Sequence, residues 1–344
     1  MTETRKKIGI LTAGGDCPGL NAAIRGVAKT AIVKHDMQVF GISSGFLGLI
    51  NKDYIELTES SVSGILTLGG TILGTSREKP FKKTGSLSID KPKLIKEHYK
   101  ELGLDCLVCI GGNGTQKTAA GLAAEGLNII GIPKTIDNDV WGTDQTFGFD
   151  SALNIATDAI DRLHSTANSH KRIMVIEIMG HNAGWLALYS GLAGGGDVIL
   201  LPELDYDMDT INNYLLKRAK KKKPYSIVVV AEGIKSPKKR SAASFIAEEI
   251  EKGTGIETRK TILGYIQRGG SPTPMDRLLA SSYGAFAVEL IANNDYGKMV
   301  AMVKDSITSI LLEDVGGKLR LVPVEHPMLE RASGLDICLG GKYK

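Results

Sequence analysis

Four polar residues that could do chemistry lie within one short loop: Lys134, Thr135, Asp137 and Asp139. The loop joins a predicted strand to a predicted helix that begins near Phe149. In an extended backbone the side chains of Asp137 and Asp139 would point the same way, which suits one proton-accepting base and one metal contact. A polar surface turn needs the same Asp, Asn, Gly and Pro residues for its backbone conformation. The loop alone leaves both interpretations open.

Two glycine-rich loops follow predicted strands, and each precedes a predicted helix. The first strand covers residues 7–12, and its loop leads to a helix that starts near Asn21. The second strand covers residues 105–110 and is followed by Gly111–Thr115 and a helix through about Glu125. Glycines allow backbone N–H groups to approach a phosphate, and the helix dipole favours negative charge there. The chain contains no Gly-x-x-x-x-Gly-Lys-Ser/Thr string, so we predict anion binding without P-loop chemistry.

Composition narrows the class of protein. The chain has 344 residues, of which 42% are hydrophobic and 23% charged, so it is long enough for two globular domains. A net charge of +4 is weak, which argues against nucleic acid as the main partner and fits small anionic ligands better. No stretch approaches the ~20 apolar residues of a membrane span, so we predict a cytoplasmic protein with no membrane partner.

The four cysteines are too few and too scattered for a disulfide framework. Cys106 and Cys109 form a C-x-x-C within a strand-like run, where positions three apart face opposite sides of a sheet. The pattern therefore favours a buried structural role over zinc.

Apolar periodicity predicts further elements. They are helices over 58–68, 149–168 and 275–293, strands over 38–43, 172–178, 198–201, 226–231 and 299–304, and an exposed insertion followed by a helix over 79–100. The lysine-rich run 217–223 is interpreted as a solvated helix C-terminus. Strand–helix units in both halves predict an α/β fold with two doubly wound layers and ligand sites at the carboxyl ends of the strands.

Three strings resemble those of phosphofructokinases, which transfer phosphate to O1 of fructose 6-phosphate in glycolysis. Residues 133–139, Pro-Lys-Thr-Ile-Asp-Asn-Asp, resemble the sugar-phosphate loop of that family. Residues 14–26 resemble its N-terminal signature, and residues 257–272 match another signature. The resemblance covers about residues 7–310 and implies two Rossmann-like domains. By this resemblance, residues 1–148 with about 267–312 bind the nucleotide donor, and 149–266 with about 313–344 bind fructose 6-phosphate.

The resemblance also implies residue roles. Asp137 is the base that takes the proton from the attacking hydroxyl, a role that suits a carboxylate because a primary alcohol barely ionises at neutral pH. Gly114 and Lys134 are expected beside it in the catalytic set. ATP contacts are implied for Gly15, Arg77, Glu78, Gly112, Asn113, Gly114 and Thr115. Substrate contacts are implied for Thr135, Ile136, Asp137, Arg172, Met179, Gly180, His181, Glu232, Arg259, Tyr265, Ile266, Gln267 and Arg268. Magnesium contacts are implied for Asn113 and Asp139.

Arg77 also has an alternative interpretation as a solvated loop arginine. A permanently charged, planar guanidinium is nonetheless well suited to charge on a transferring phosphoryl group.

Two positions bear on the phosphoryl donor. Family members that use pyrophosphate carry an aspartate in place of Gly114 and a lysine in place of Lys134, so this chain has one marker of each kind. Glycine leaves room for the α-phosphate of a nucleotide, whereas a lysine suits either donor. We therefore predict ATP, with pyrophosphate as the alternative. Asn113 stands where most ATP-using relatives have an aspartate, so more of the Mg²⁺ binding must come from Asp139, the donor phosphates and water.

Asn113 and His181 replace charged residues of the family, which leaves a third hypothesis, a non-catalytic sensor of sugar phosphates or nucleotides. His181 stands where the family commonly has arginine, and Tyr265 where many bacterial relatives have histidine. Histidine makes one charge pH-dependent, although a structural role for it is nearly as well supported. The intact Asp137 and Arg77 favour an enzyme, because a sensor would not need a base.

Arg172 and Arg259 imply an oligomer. In the family the corresponding arginines reach the sugar phosphate of a neighbouring subunit. We therefore predict a homodimer or homotetramer with shared active sites.

Overall fold

The computed structural model describes residues 5–82, 90–237 and 240–341. The chain divides into two compact units. The first comprises Met1–Thr135, Asp139–Asp150 and Arg268–Leu319, and the second comprises Ile136–Asn138, Ser151–Gln267 and Arg320–Lys344.

The described residues form strands and helices that alternate along most of the chain. The strands are β1 (Lys7–Ala13), β2 (Gln38–Ile42), β3 (Tyr54–Leu57), β4 (Cys106–Gly111), β5 (Ile129–Pro133), β6 (Ile173–Ile178), β7 (Val198–Leu200), β8 (Ser226–Ala231), β9 (Thr258–Ile262), β10 (Lys298–Val303) and β11 (Ser306–Leu311). The helices are α1 (Leu20–Lys29), α2 (Phe46–Asn51), α3 (Lys91–Glu101), α4 (Asn113–Ala124), α5 (Phe149–His170), α6 (Trp185–Ala193), α7 (Met208–Lys220), α8 (Ala242–Thr254), α9 (Pro274–Ala292), α10 (Leu312–Val315) and α11 (Pro327–Gly334).

The sheet of the first unit has the strand order β11-β10-β5-β4-β1-β2-β3. The pairs from β10 to β2 are parallel, and the two edge strands β3 and β11 run antiparallel to their neighbours. Every residue of β4 and β5 is buried, as expected for parallel strands covered on both faces. The chain moves from β1 toward β2 and then returns to the other side of β1 with β4. Such a reversal of strand order is where doubly wound sheets bind ligands.

Helices α1 and α9 pack together in the first unit through two glycines. A Cβ on Gly26 would lie 2.6 Å from the carbonyl oxygen of Ser281, and one on Gly284 would lie 2.7 Å from that of Ala23. These distances are too short for any side chain, so the backbones can approach this closely only with glycine.

The sheet of the second unit has the order β7-β8-β6-β9, and all its pairs are parallel. The strands β6, β7 and β8 are wholly buried. Together the two sheets confirm the predicted α/β fold with two doubly wound layers.

The helix predicted over residues 58–68 is wrong. This stretch forms turns and a short 3₁₀ segment at Ile65–Thr67. The Oγ of Ser61 accepts a hydrogen bond of 2.8 Å from the backbone N–H of Thr58 and donates one of 2.9 Å to its carbonyl. These bonds compete with helical backbone bonds, which is why Ser and Thr favour turns.

Several other sequence predictions can be compared directly. The helix predicted from Phe149 is confirmed, as is the helix at the end of the 79–100 stretch, which begins where the Asp90 side chain accepts the N–H of Lys93. Residues 83–89 of that stretch lie outside the described residues. Seven elements were not predicted: α2, α8, α10, α11, β3, β9 and β11.

Cys106 and Cys109 are free and buried in β4, in agreement with the structural role predicted for them. Within the described ranges, no helix combines the length and apolar character needed to cross a membrane.

Candidate active site

The loops that follow β1 and β4 form a cradle of backbone groups in the first unit. The last residues of the two strands, Ala13 and Gly111, are paired across the sheet. The Oγ1 of Thr115 donates a hydrogen bond of 3.3 Å to the carbonyl of Ala13. This hydrogen bond joins the two loops at the point where the strand order reverses. We call residues 14–15 and 112–115 the cradle.

Gly14 is required by its backbone conformation, and Gly15 lies against an arginine side chain. Gly14 has a φ of 87°, its N–H donates to the carbonyl of Ser76 at 2.9 Å, and its own carbonyl accepts from the Thr75 hydroxyl at 2.8 Å. A Cβ on Gly15 would lie 2.0 Å from Nη1 of Arg268. The guanidinium of Arg268 therefore lies against Gly15 within the first unit, and its predicted contact with the sugar phosphate stays a prediction.

Lys134 is a buried cation next to the cradle. Its side chain follows β5, is 3% exposed, and donates through Nζ to the carbonyl of Gly15. Burial raises the pKa of the nearby Cys17 thiol to about 12, although the positive charges of Lys134 and Arg268 act in the opposite direction. Two cations at the carboxyl end of the sheet give the cradle a charge suited to a phosphate.

Gly114 leaves open space at the start of α4. Among the described residues, a Cβ built on Gly114 meets no atom within 4 Å, and its backbone conformation is one that any residue can adopt. The free N–H groups of a helix start favour an anion at this position. Because glycine has no side chain, a nucleotide phosphate can approach this position without steric hindrance from residue 114.

Asn113 offers an oxygen that suits a metal ion. Its Nδ2 donates to the carbonyl of Asp139 at 3.3 Å, which fixes the orientation of the amide. Its Oδ1 is buried and has no hydrogen-bond partner within the described part of the chain. In the same part, no group of three or more His, Cys, Asp or Glu residues could hold a metal ion. This sparse donor set fits Mg²⁺, which is commonly bound by one or two protein oxygens together with substrate phosphates and water.

Arg77 and Glu78 lie on the loop after the 3₁₀ segment. Arg77 is exposed, and the carboxylate of Glu78 forms an ion pair of 2.8 Å with Lys91 at the start of α3. This partner occupies one oxygen of Glu78, so its predicted contact with ATP stays a prediction.

A second cluster lies at the carboxyl end of the sheet in the second unit. After β6, the N–H of Met179 donates to Oε1 of Gln267 at 2.9 Å. The N–H groups of Gly180 and His181 both donate to Oε1 of Glu232, at 3.3 and 2.7 Å. The structure thus brings together five predicted substrate residues from loops after β6, β8 and β9. We call them the second-unit cluster.

The backbone of this cluster is held in uncommon conformations. Gly180 has a φ of 149°, and a Cβ there would lie 2.4 Å from the carbonyl oxygen of Ala183. His181 has a φ of 52°, which costs energy for a residue with a side chain and is often found at functional sites. Tyr265 and Ile266 follow β9 with 74% and 62% of their side chains exposed.

Arg172 and Arg259 do not join the second-unit cluster. Arg172 precedes β6, and Arg259 is paired with Met174 near the amino end of the sheet. Arg172 and Met179 are separated by the whole of β6, seven steps or roughly 23 Å at ~3.3 Å per residue. That distance exceeds the reach of an arginine side chain.

A single carboxylate binds both of these arginines. Glu257 pairs with Arg172 at 2.5 Å and also with Arg259. The hydrogen bond from Arg172 is the main cause of the lowered pKa of Glu257, to which the charges of both arginines contribute. Two guanidinium groups thus share one carboxylate at this end of the sheet.

The loop that carries Asp137 is not extended. Asn138 has a φ of 52°, so its backbone turns in the left-handed region and the alternation argument for Asp137 and Asp139 is wrong. Ile136–Asn138 belong to the second unit, and Asp139 belongs to the first. Asp137 is half-buried and Ile136 is buried.

The first part of the loop is held at Thr135, whose carbonyl accepts a hydrogen bond of 2.8 Å from Oγ1 of Thr146. Both threonines belong to the first unit. The substrate contact predicted for Thr135 stays a prediction.

Sequence reasoning did not single out Arg320. Its guanidinium donates to the carbonyl of Asn138 at 3.0 Å, although the two residues are 182 positions apart. No local pattern around Arg320 signals this contact.

A phosphate cradle at the reversal of strand order is typical of α/β proteins that bind phosphorylated ligands. The comparisons identify the family. Residues 7–291 match the Phosphofructokinase family, so the chain belongs to that family.

The chain is also similar to named relatives and solved structures. It is 64% identical over 335 residues to ATP-dependent 6-phosphofructokinase 3 of Bacteroides thetaiotaomicron, which covers 97% of this chain and 100% of the relative. It is 54% identical over 357 residues to ATP-dependent 6-phosphofructokinase of Spirochaeta thermophila, with 97% and 98% covered. The crystal structure of Pichia pastoris phosphofructokinase in the T-state matches with a TM-score of 0.84 and 32% identity over 92% of this chain, which spans 36% of the yeast chain.

A pyrophosphate-dependent phosphofructokinase from Marinobacter aquaeolei has a similar fold. It matches with a TM-score of 0.83 at 23% identity, over 93% of this chain and 86% of its own. At this identity the likeness concerns the fold alone, so it carries no information on the donor.

Proposed function

We propose that the protein is an ATP-dependent 6-phosphofructokinase, which transfers the terminal phosphoryl group of ATP to O1 of fructose 6-phosphate in glycolysis. The relatives that share 44–64% of the sequence over nearly the whole chain carry the name of that activity. The observation that favours ATP as donor is the open space at Gly114, where a nucleotide can pass beyond the cradle.

The reaction needs a base, a cradle and cations. We infer that Asp137 accepts the proton of the O1 hydroxyl while that oxygen forms its bond to the terminal phosphorus and the bond to the bridging oxygen of ADP breaks. The cradle and Lys134 bind the donor phosphates, and Arg77 compensates negative charge on the transferred group. The second-unit cluster binds the sugar.

Mg²⁺ is the expected cofactor. Asn113 and Asp139 would hold it, and Asn113 supplies the buried Oδ1 described above. When bound, the ion reduces the negative charge of the donor phosphates. Asparagine contributes no charge, so Mg²⁺ affinity in the absence of nucleotide should be weak.

Arg172 and Arg259 support an oligomer with shared sites. Both lie at the end of the second-unit sheet that is remote from the second-unit cluster, and both are paired with Glu257. They are therefore suited to bind the sugar phosphate of a neighbouring copy. We propose a cytoplasmic homodimer or homotetramer.

A coupled assay tests the function and the donor together. Purified protein is supplied with fructose 6-phosphate, Mg²⁺ and either ATP or pyrophosphate, and formation of fructose 1,6-bisphosphate is measured. We expect turnover with ATP and little with pyrophosphate. Lys134, a marker shared with family members that use pyrophosphate, is the reason to test that donor, and a higher kcat/KM with pyrophosphate would overturn the assignment. Binding of both ligands without turnover would indicate a sensor instead.

A further inference from the structure

Arg320 is held between two parts of the second unit. Its Nη1 donates a hydrogen bond of 3.0 Å to the carbonyl of Asn138, the residue that follows Asp137. The guanidinium carbon lies 4.1 Å from the centre of the Trp185 ring, and Nε1 of Trp185 donates to the carbonyl of Arg320 at 2.9 Å. Trp185 therefore holds Arg320 in two ways: it binds the backbone carbonyl, and its ring packs against the guanidinium group.

Trp185 provides a rigid support for this contact. It is the first residue of α6, is 2% exposed, and directly follows the loop of the second-unit cluster. The ring of His326 packs edge-on against Trp185 with 5.1 Å between the ring centres. Burial is the main cause of the lowered pKa of His326, to which the charges of Arg320 and Arg331 also contribute. A neutral imidazole keeps this packing apolar near neutral pH.

Glu203 attaches the same C-terminal segment to the start of α6. Its Oε1 accepts hydrogen bonds of 2.9 Å from the N–H of Gly184 and from the N–H of Val322. Glu203 thus links Gly184, the residue before Trp185, to Val322, two residues after Arg320. The position of Arg320 is set by three independent contacts.

Asn138 turns the backbone of the loop directly after Asp137. Its φ of 52° lies in the left-handed region, which asparagine adopts more readily than most residues with a side chain, and a contact to its carbonyl helps to hold that turn. A hydrogen bond from a permanently charged guanidinium to its carbonyl is a strong way to fix that peptide. This peptide lies one residue after Asp137, so holding it restricts the backbone from which the Asp137 carboxylate projects.

We propose that Arg320 is a positioning residue for the catalytic loop: it holds the peptide of Asn138, with Trp185 as its support, and so fixes the orientation of Asp137. The proposal rests on the function proposed above, in which Asp137 is the base. A displacement of about 1 Å in a reacting group can lower turnover by roughly 10²-fold.

Steady-state kinetics of three variants test this role. Arg320→Met removes the donor but keeps a long side chain over Trp185, and it should lower kcat by about 10–100-fold with the KM for ATP and fructose 6-phosphate changed by less than about 3-fold. Arg320→Lys keeps a cation that can donate to a carbonyl, so it should recover much of the lost kcat. The control is Arg331→Met, an arginine of the same segment whose Nη1 contacts Met328, and its kcat should equal that of wild type.

Hydrogen exchange provides a measurement that does not need turnover. In Arg320→Met, amide exchange of peptides that contain residues 136–140 should become at least several-fold faster, while peptides from β4 and β5 should be unchanged. Wild-type kcat in Arg320→Met would overturn the proposal. Unchanged exchange at 136–140 would also overturn it, even if kcat falls, because the loop would then be held equally well without the arginine. If the wild-type protein has no activity, the proposed function fails, and the exchange result still decides whether Arg320 holds the loop.

Discussion

Asp137 is the residue on which the proposed chemistry depends most directly. Asp137→Asn keeps the size of the side chain and removes its ability to accept a proton. We expect kcat to fall by roughly 10²–10⁴-fold with fructose 6-phosphate binding largely retained. Steady-state rates and a direct binding measurement check this. Asp144→Asn is a matched control, because Asp144 lies in the same loop and accepts the N–H of Lys304. Turnover of Asp137→Asn within a few-fold of wild type would disprove the base assignment.

Gly114 is the residue that should decide the donor. Gly114→Asp places a carboxylate in the open space at the start of α4, where it would repel the α-phosphate of ATP. We expect kcat/KM for ATP to fall far more than kcat/KM for pyrophosphate. An acidic residue in the first turn of a helix is favourable, so the melting temperature should not fall.

Gly114→Ala separates size from charge in that experiment. A Cβ at this position meets no described atom within 4 Å, so the alanine variant should keep kcat/KM for ATP within a few-fold. A similar loss of ATP use in both variants would show that space alone matters. An aspartate variant with wild-type kcat/KM for ATP would contradict the donor assignment.

Single residues also show where sequence reasoning is limited. The glycines of the cradle and the carboxylate Asp137 could be identified because residue type and local order indicate their chemistry. The relation between Asp137 and Asp139 was predicted wrongly, because Asn138 between them has a left-handed φ of 52° and the loop is therefore not extended. Arg320 could not be found at all, because its partners lie far away along the chain.

Among the elements, those with strong local signals were predicted well. The strand–glycine–helix units at β1–α1 and β4–α4 follow from apolar runs, glycines and helix starts, all of which lie close together in sequence. The short edge strands β3 and β11 have mixed burial, so alternation is weak and their existence depends on the neighbouring strand. The helix predicted over residues 58–68 was wrong because hydrogen bonds between side chains and the backbone outweighed the apolar spacing.

Strand β4 should make the stability of the protein sensitive to alkaline pH. Burial raises the pKa of the Cys109 thiol well above its ordinary value. Above the unfolded pKa of ~8.5 the unfolded chain loses this proton while the folded chain keeps it, so the folded state binds more protons and stability falls as pH rises. Each such thiol contributes up to about 1.4 kcal/mol of lost stability per pH unit in this window.

The contribution of Cys109 can be isolated with Cys109→Ala. The difference in unfolding free energy between wild type and variant should be constant from pH 6 to 8 and should shrink between pH 9 and 10.5. Urea titrations across this range measure it. Parallel curves up to pH 10.5 would mean that the thiol ionises equally in both states.

At the scale of the whole molecule, the two ends of the second-unit sheet carry different groups of predicted substrate residues. The second-unit cluster lies at the carboxyl end, and Arg172 and Arg259 lie near the amino end with Glu257 between them. A sheet of this length cannot bring both ends to one phosphate within the same copy. Both arginines could be identified from the sequence. Their distance from the second-unit cluster became evident only from the strand register of the structure.

Mixed oligomers should therefore recover activity that neither parent has. One parent is Asp137→Asn, which lacks the base and keeps both arginines. The other is the double variant Arg172→Ala with Arg259→Ala, which keeps the base and should have a strongly raised KM for fructose 6-phosphate. When the two are unfolded and refolded together, random pairing gives roughly a quarter of the sites a base from one copy and arginines from the next. We expect about that fraction of wild-type activity at low fructose 6-phosphate, while each parent refolded alone stays near its own low rate. Activity equal to the average of the two parents would show that each copy completes its own site.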